Sequence, residues 1–542
     1  MIYRRFLNIA LACTAFAAGG AQGNDEALLG AYDAFRAGDP DRLERHARAL
    51  NGHTLAPWVE YWRMKLRIED AVSADIEGYL ARHAQAYLAD QLRADWLKEL
   101  GRREDWRAFE RMLGPLVQDD LEIRCHAWRA RHARGDAQAA LEARAVWLEL
   151  RDVPEGCQRL AAELRAAGAV DVERVWQRAR LQLYYGYVTA ARRGLEDLPA
   201  AARPNERLLA QAVTAPRQLL ERAPRDLEPR AAREMVVFAL LRLARSDLLA
   251  AAQALGEGDG TRLPREDREY LWARLATLAA FEHRDQALEW YLRAGATALD
   301  DTQLAWKARA ALRAGRWRTV LDAIEPMSPQ ARLDLAWAYW SARAREALGD
   351  AEGAREQYQR IAGQPLYYSV LATEELGGAA SIPVPHHEAT ETEVDAARAH
   401  AELARALELF RLGLRTEATR EWMFAVRHMG DRQLLAAAEL ARRAAVFDRA
   451  IGTASRTELQ HDFRMRYLAP YRDVFREYAG AYGLEEAWVL GTVRQESRFI
   501  PDARSGAGAT GLMQLLPHTA RWVAQRIGYK GYSPKRVVEV ET

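Results

Sequence analysis

Trp337-Ala338-Tyr339-Trp340-Ser341-Ala342-Arg343-Ala344-Arg345-Glu346-Ala347-Leu348-Gly349-Asp350-Ala351-Glu352-Gly353-Ala354-Arg355-Glu356-Gln357-Tyr358 reads as two amphipathic helices joined by a short Gly-Asp turn. Similar turns occur at Ala37-Gly38-Asp39, Leu100-Gly101-Arg102, Arg134-Gly135-Asp136 and Ala314-Gly315-Arg316. Gly101 and Gly135 lie 34 residues apart, as do Gly315 and Gly349. That is the period of tetratricopeptide-type helical hairpins. Trp337, Trp340, Arg343, Gly349, Asp350, Ala354 and Tyr358 fit such a hairpin loosely, and the register drifts between the matched pairs. The expectation is therefore an all-α chain whose residues 24–380 form a degenerate array of hairpins. Each hairpin buries its face only against its neighbours, which produces a curved superhelix. The many Trp and Tyr side chains are then mostly core, and a concave inner surface is available to a polymer or a partner.

Bulk composition agrees. The 542 residues are 49% hydrophobic, enough for several domains. Arg, Ala and Leu dominate and Gly and Pro are sparse, which favours helix. A formal net charge of +1 gives no field for nucleic acid, which is excluded as a partner on charge grounds. Residues 1–23 read as a secretory signal: Arg4 and Arg5, an apolar Phe6–Ala18 run, and Ala21-Gln22-Gly23 as the cleavage site. An uncleaved anchor is the alternative; Cys13 raises a weaker lipoprotein reading. No later apolar run is long enough for a membrane span. Export would leave Cys125 and Cys157, an even number that suggests a disulfide, with two buried thiols as the alternative. His126 beside Cys125 finds no ligand pair at zinc-site spacing, so no metal is expected.

Ser381-Ile382-Pro383-Val384-Pro385-His386-His387-Glu388 breaks the helical pattern, and residues 381–393 are read as a linker. Adjacent His residues in a linker are a weak metal signal. Helices resume near Thr392, with a hairpin turn at Leu412-Gly413-Leu414, and residues 394–462 form a small helical domain. A last segment, 463–542, begins around Tyr467-Leu468-Ala469-Pro470-Tyr471.

In that segment, Val489, Val493 and Glu496 fall at i, i+4 and i+7, one face of a helix that Pro501 ends. A carboxylate on an apolar stripe is expected to be buried. Burial raises its pKa, and so does the negative end of the helix dipole, which would make Glu496 a general acid. Gly506, Gly508 and Gly511 spell G-x-G-x-x-G, but a helix precedes them, and Pro517 interrupts the stretch where a long helix would have to run. A dinucleotide fold is rejected, and the glycines are read as allowing close backbone approach. Asp502, in a turn, is the neighbouring acid. Ordinary glycosidases need two flanking carboxylates, whereas a single acid suffices when an N-acetyl sugar supplies its own amide oxygen.

Glu496-Ser497-Arg498-Phe499, Ser505, Gly508-Ala509-Thr510-Gly511-Leu512-Met513-Gln514 and Pro517-His518-Thr519-Ala520 resemble the signature of family 1 lytic transglycosylases. These are peptidoglycan-cleaving enzymes with a goose-lysozyme-like catalytic domain. The helical array, the small domain and the export signal resemble the larger soluble type, whose superhelix forms a ring. The resemblance implies a periplasmic enzyme that cleaves the MurNAc–GlcNAc bond of peptidoglycan to 1,6-anhydroMurNAc ends, with Glu496 as acid and then base and without cofactor or metal. It implies substrate contacts from Ser497, Ser505, Met513 and Gln514, and other cell-wall proteins as partners of the array. Core packing for Met513 and a helix-end hydrogen bond for Ser497 are the alternatives. Leu516 stands where the family often has methionine. The resemblance also implies a later alanine-tyrosine-asparagine motif. The sequence ends at Thr542 before one, so the catalytic domain is expected in its N-terminal part only. The rival reading is a non-catalytic scaffold binding murein or a protein.

Overall fold

The computed structural model describes residues 24–149, 154–379 and 386–540. The signal segment 1–23 and the prolines of the linker lie outside the described residues. Within them the chain is all-α, in consecutive helical hairpins, and the extended pairing amounts to three isolated bridges. None of the described helices is long and apolar enough to cross a membrane.

The opening stretch forms the helices Leu335–Ala347 and Ala351–Ile361. Gly349 turns between them at φ +90°, and the Asp350 carboxylate caps the second helix by accepting from Gly353 N–H at 3.0 Å. The turn thus satisfies donors that a helix start leaves unpaired. Gly38, Gly135, Gly315 and Gly413 also adopt left-handed turn conformations. Gly101 does not. It lies inside the Tyr87–Arg103 helix, and the turn comes after it at Glu104, φ +60°. A Cβ on Gly101 would come within 2.3 Å of the His126 ring, and one on Gly156 within 2.6 Å. These glycines open a niche for a ring, so the first 34-residue interval does not connect two turns.

Packing divides the chain differently from the sequence pattern. One compact unit contains residues 101–110 and 119–381; the other contains residues to 100, 111–118 and from 382 onward. In the first unit the helices Val172–Tyr185, Arg230–Ala244 and Arg265–Phe281 share a large apolar core containing Trp176, Phe238 and Leu275. An ion network runs through it. Arg180 donates to Glu234 at 2.7 Å and to Asp267 at 2.5 Å, and Glu234 is fully buried. Removing one partner of such a network leaves a buried charge uncompensated, which costs more than the pair contributes. Cys125 and Cys157 form a disulfide between the helices Leu121–Ala133 and Glu155–Ala166.

In the second unit the small helical region packs around Trp422, Leu403 and Leu435. His387 N–H donates to the His461 carbonyl at 3.1 Å, and the His387 ring contacts Glu393 at 3.1 Å. The linker histidines therefore pin the chain to this region. Among the described residues no cluster of His, Cys, Asp and Glu has a metal-site arrangement.

Candidate active site

Glu496 is the last residue of the Glu486–Glu496 helix. Its face is not the one expected. Glu496 is exposed, Val489 is half-buried, and Val493 is the buried residue of this helix. Helical periodicity selects an apolar face but does not specify what covers it; here Trp488 remains 70% exposed one turn from Thr492. The desolvation assigned to Glu496 from the pattern therefore has no basis in the structure. Among the described residues its carboxylate makes no hydrogen bond or ion pair, so it is free to meet a ligand.

The backbone then turns sharply. Ser497 is buried, and its Oγ donates to the Val493 carbonyl and accepts from Phe499 N–H, both at 3.2 Å. The hydroxyl completes the helix end, which is the alternative use of this serine. Arg498 and Phe499 both have positive φ, +49° and +64°. Successive left-handed non-glycine residues are costly and persist only where packing over-determines them. The packing comes from Phe499, which is 2% exposed and clusters with Val493, Leu512 and Ile451. No sequence signal marks that strain.

This cluster joins the helix end to the 503–515 loop. Gly511 has φ +84°, and a Cβ there would fall 2.4 Å from the Val537 carbonyl. That is the close backbone approach expected of the glycines, at one of the three; Gly506 has open space around it. Gln514 Nε2 donates to the carbonyls of Ala503 and Gly511, each at 3.0 Å. It staples the loop across its base, a structural use with no signal in the sequence. Ser505 is exposed, and its Oγ accepts from Ala509 N–H at 3.0 Å. Met513 is 41% exposed and lines a groove of about 330 Å³ with Phe475, Tyr478, Val489, Leu512 and Ile527, so it is not core packing. Glu496 is not among the groove's lining side chains.

Residues 473–539 match the Transglycosylase SLT domain, and residues 396–462 match the Soluble lytic murein transglycosylase L domain. Over 514 residues the chain is 24% identical to the soluble lytic murein transglycosylase of Escherichia coli K12, covering 93% of this chain and 78% of that one. Together these matches support a soluble lytic transglycosylase. The chain is similar in structure to an inactive glutamate-to-glutamine mutant of the lytic transglycosylase Slt from Pseudomonas aeruginosa. The TM-score is 0.69 at 25% identity, over 95% of this chain and 84% of that one. The 70 kDa soluble lytic transglycosylase of E. coli shares the fold, with a TM-score of 0.59 at 22% identity over 96% and 84% of the two chains. Its complex with bulgecin A is a further match. A 67-residue stretch is 45% identical to the membrane-bound lytic murein transglycosylase C of Histophilus somni, over 12% of this chain and 18% of that one. The enzyme class is that of glycosidic-bond lyases acting on murein.

Proposed function

We propose that the chain cleaves the bond between N-acetylmuramic acid and N-acetylglucosamine in peptidoglycan without consuming water, and that Glu496 moves both protons. The observation carrying this reading is the placement of a free, exposed Glu496 at a helix end that a shared core ties to the 503–515 loop. A sugar laid over Glu496 excludes water from the reacting bond. The carboxylic acid donates its proton to the glycosidic oxygen, and the C1–O bond breaks as the muramyl acetamido oxygen bonds to C1. The departing N-acetylglucosamine keeps the proton on its 4-hydroxyl. Glu496, now a carboxylate, removes the proton from the muramyl 6-hydroxyl. O6 then bonds to C1, the acetamido oxygen leaves, and a 1,6-anhydro end results with Glu496 protonated again.

In this reading Met513 and Ser505 contact the glycan, Met513 from the apolar groove beside the loop and Ser505 through substrate polar groups. Ser497 and Gln514 act by shaping the helix end and the loop. Two further features support a periplasmic location: the signal pattern of residues 1–23 and the Cys125–Cys157 disulfide, which persists in an oxidising compartment. The inactive relative with a glutamate-to-glutamine exchange supports an essential glutamate. The test is product analysis on purified murein. We expect 1,6-anhydro muropeptides from the wild-type enzyme and none with Glu496→Gln. Reducing muramyl ends would overturn the non-hydrolytic chemistry, and murein binding without turnover in both proteins would favour the scaffold reading.

A further inference from the structure

The four carboxylates Glu402, Glu408, Glu417 and Glu421 lie on the helices Ala401–Arg411 and Arg415–Ala425, and each faces a donor from the first hundred residues. Tyr87 N–H donates to Glu402 at 2.7 Å, and Tyr32 OH donates to Glu417 at 2.8 Å. Trp58 Nε1 donates to Glu421 at 2.7 Å, and the His53 ring lies 4.0 Å from Glu408. The polarity reverses once, where Arg411 donates to both oxygens of Asp25. Apolar contact accompanies these bonds: the rings of Tyr87 and Phe424 meet edge-on at 5.5 Å.

Glu421 is the centre of this surface. It is fully buried, held by Arg405 Nε at 2.6 Å and by Trp58, 363 residues away in sequence. Each side of the surface has a hairpin of its own: Pro40–Ala47 packs on Ala56–Leu66, and Ala401–Arg411 on Arg415–Ala425. We propose that this surface is a proton-linked clasp, in which docking of the N-terminal helices onto the 401–425 helix pair takes up a proton at Glu421.

The charged and titratable groups around Glu421 come from every element packed on it. Arg405 and Glu402 face it from the helix Ala401–Arg411, Trp58 from Ala56–Leu66, Tyr79 from Ser73–Arg82, and Tyr87 from Tyr87–Arg103; Glu417 and Arg420 lie on its own helix. Burial raises the Glu421 carboxyl to about 7, against the lowering by Arg405 and Trp58. When the faces part, that burial is lost and the carboxyl returns towards its ordinary value of 4.5. The closed form therefore binds the proton more tightly than the open one. Closure strengthens as pH falls through 7 and weakens as pH rises above it.

Hydrogen–deuterium exchange on the full chain, corrected for intrinsic exchange rates, tests the clasp. The amides to follow are those of Ala56–Leu66 and Arg415–Ala425, with the helix Arg265–Phe281 of the other unit as reference. From pH 8 to pH 6 the opening equilibrium of the two clasp helices should fall about tenfold, one decade for the one pH unit crossed below 7, while the reference helix stays level. Glu421→Gln keeps an acceptor for Trp58 and cannot titrate, so the tenfold fall between pH 8 and pH 6 should be lost. Trp58→Phe keeps the ring and removes the donor; it should open further at pH 8 than at pH 6 relative to wild type. A wild-type equilibrium unchanged between pH 8 and 6, or a Glu421→Gln protein with the wild-type dependence, would overturn the proposal.

Discussion

Glu496 is exposed and unpartnered, so exchanging it for glutamine should change stability by less than about 0.5 kcal/mol. Turnover of murein should fall at least about 10²–10⁴-fold, the usual range for losing a general acid–base group. Thermal melts and muropeptide chromatography on the same preparation separate the two effects. Gln514→Ala should behave in the opposite manner. It removes the side-chain donor shared by the Ala503 and Gly511 carbonyls, which each keep one backbone N–H, costing about 1 kcal/mol and loosening the loop. Denaturant midpoints should drop, and activity should fall mainly through weaker substrate binding. The position of Glu496 at a helix end was legible in the sequence, beside a motif that resembles the family signature. Its exposure was not, because a 3.6-residue period orders side chains around an axis without saying what lies opposite. Nor were the left-handed Arg498 and Phe499, whose conformations are set by the burial of Phe499 against residues from three other segments.

At the scale of elements, the niche around His126 gathers several devices. The ring is fully buried between Gly101 and Gly156, and its Nδ1 lies 3.4 Å from Arg129 Nη1. Burial, with Arg129 and Arg159 adding to it, lowers its pKa from 6.5 to about 4. A base with a depressed native pKa contributes stability above 6.5 that is lost as pH falls from 6.5 through 4. The loss amounts to about 3 kcal/mol at most. His126→Phe, which keeps a ring in the niche, should flatten that part of the stability–pH profile in urea titrations. Beside it, the Cys125–Cys157 bond closes a loop with a sequence separation of 32. Replacing both cysteines by alanine should cost about 3–4 kcal/mol by loop entropy, measurable as a lower melting temperature of the 119–381 unit. The hairpin pattern itself was readable from turn glycines such as Gly135 and Gly349. Gly101 was misread as a turn because glycine serves two purposes, positive φ and close approach, and sequence spacing alone does not separate them.

At the scale of the whole molecule, all-α architecture and the two matched C-terminal regions were readable from periodicity and motif. The grouping of residues 24–100 with the chain beyond 382 was not, since such pairing depends on surfaces hundreds of residues apart and leaves no local period. Cutting the chain near residue 380 should therefore give a C-terminal piece in which Glu402, Glu417 and Glu421 have lost their N-terminal donors. Its helices Ala401–Arg411 and Arg415–Ala425 should exchange amide hydrogens faster than in the full chain, by mass spectrometry under matched conditions. The same separation has a consequence during biosynthesis. Trp58 leaves the ribosome 363 residues before Glu421 exists. At ~5–20 residues per second, its docking face waits roughly 20–70 s for its partner, a window in which chaperones and proteases meet an unfinished surface.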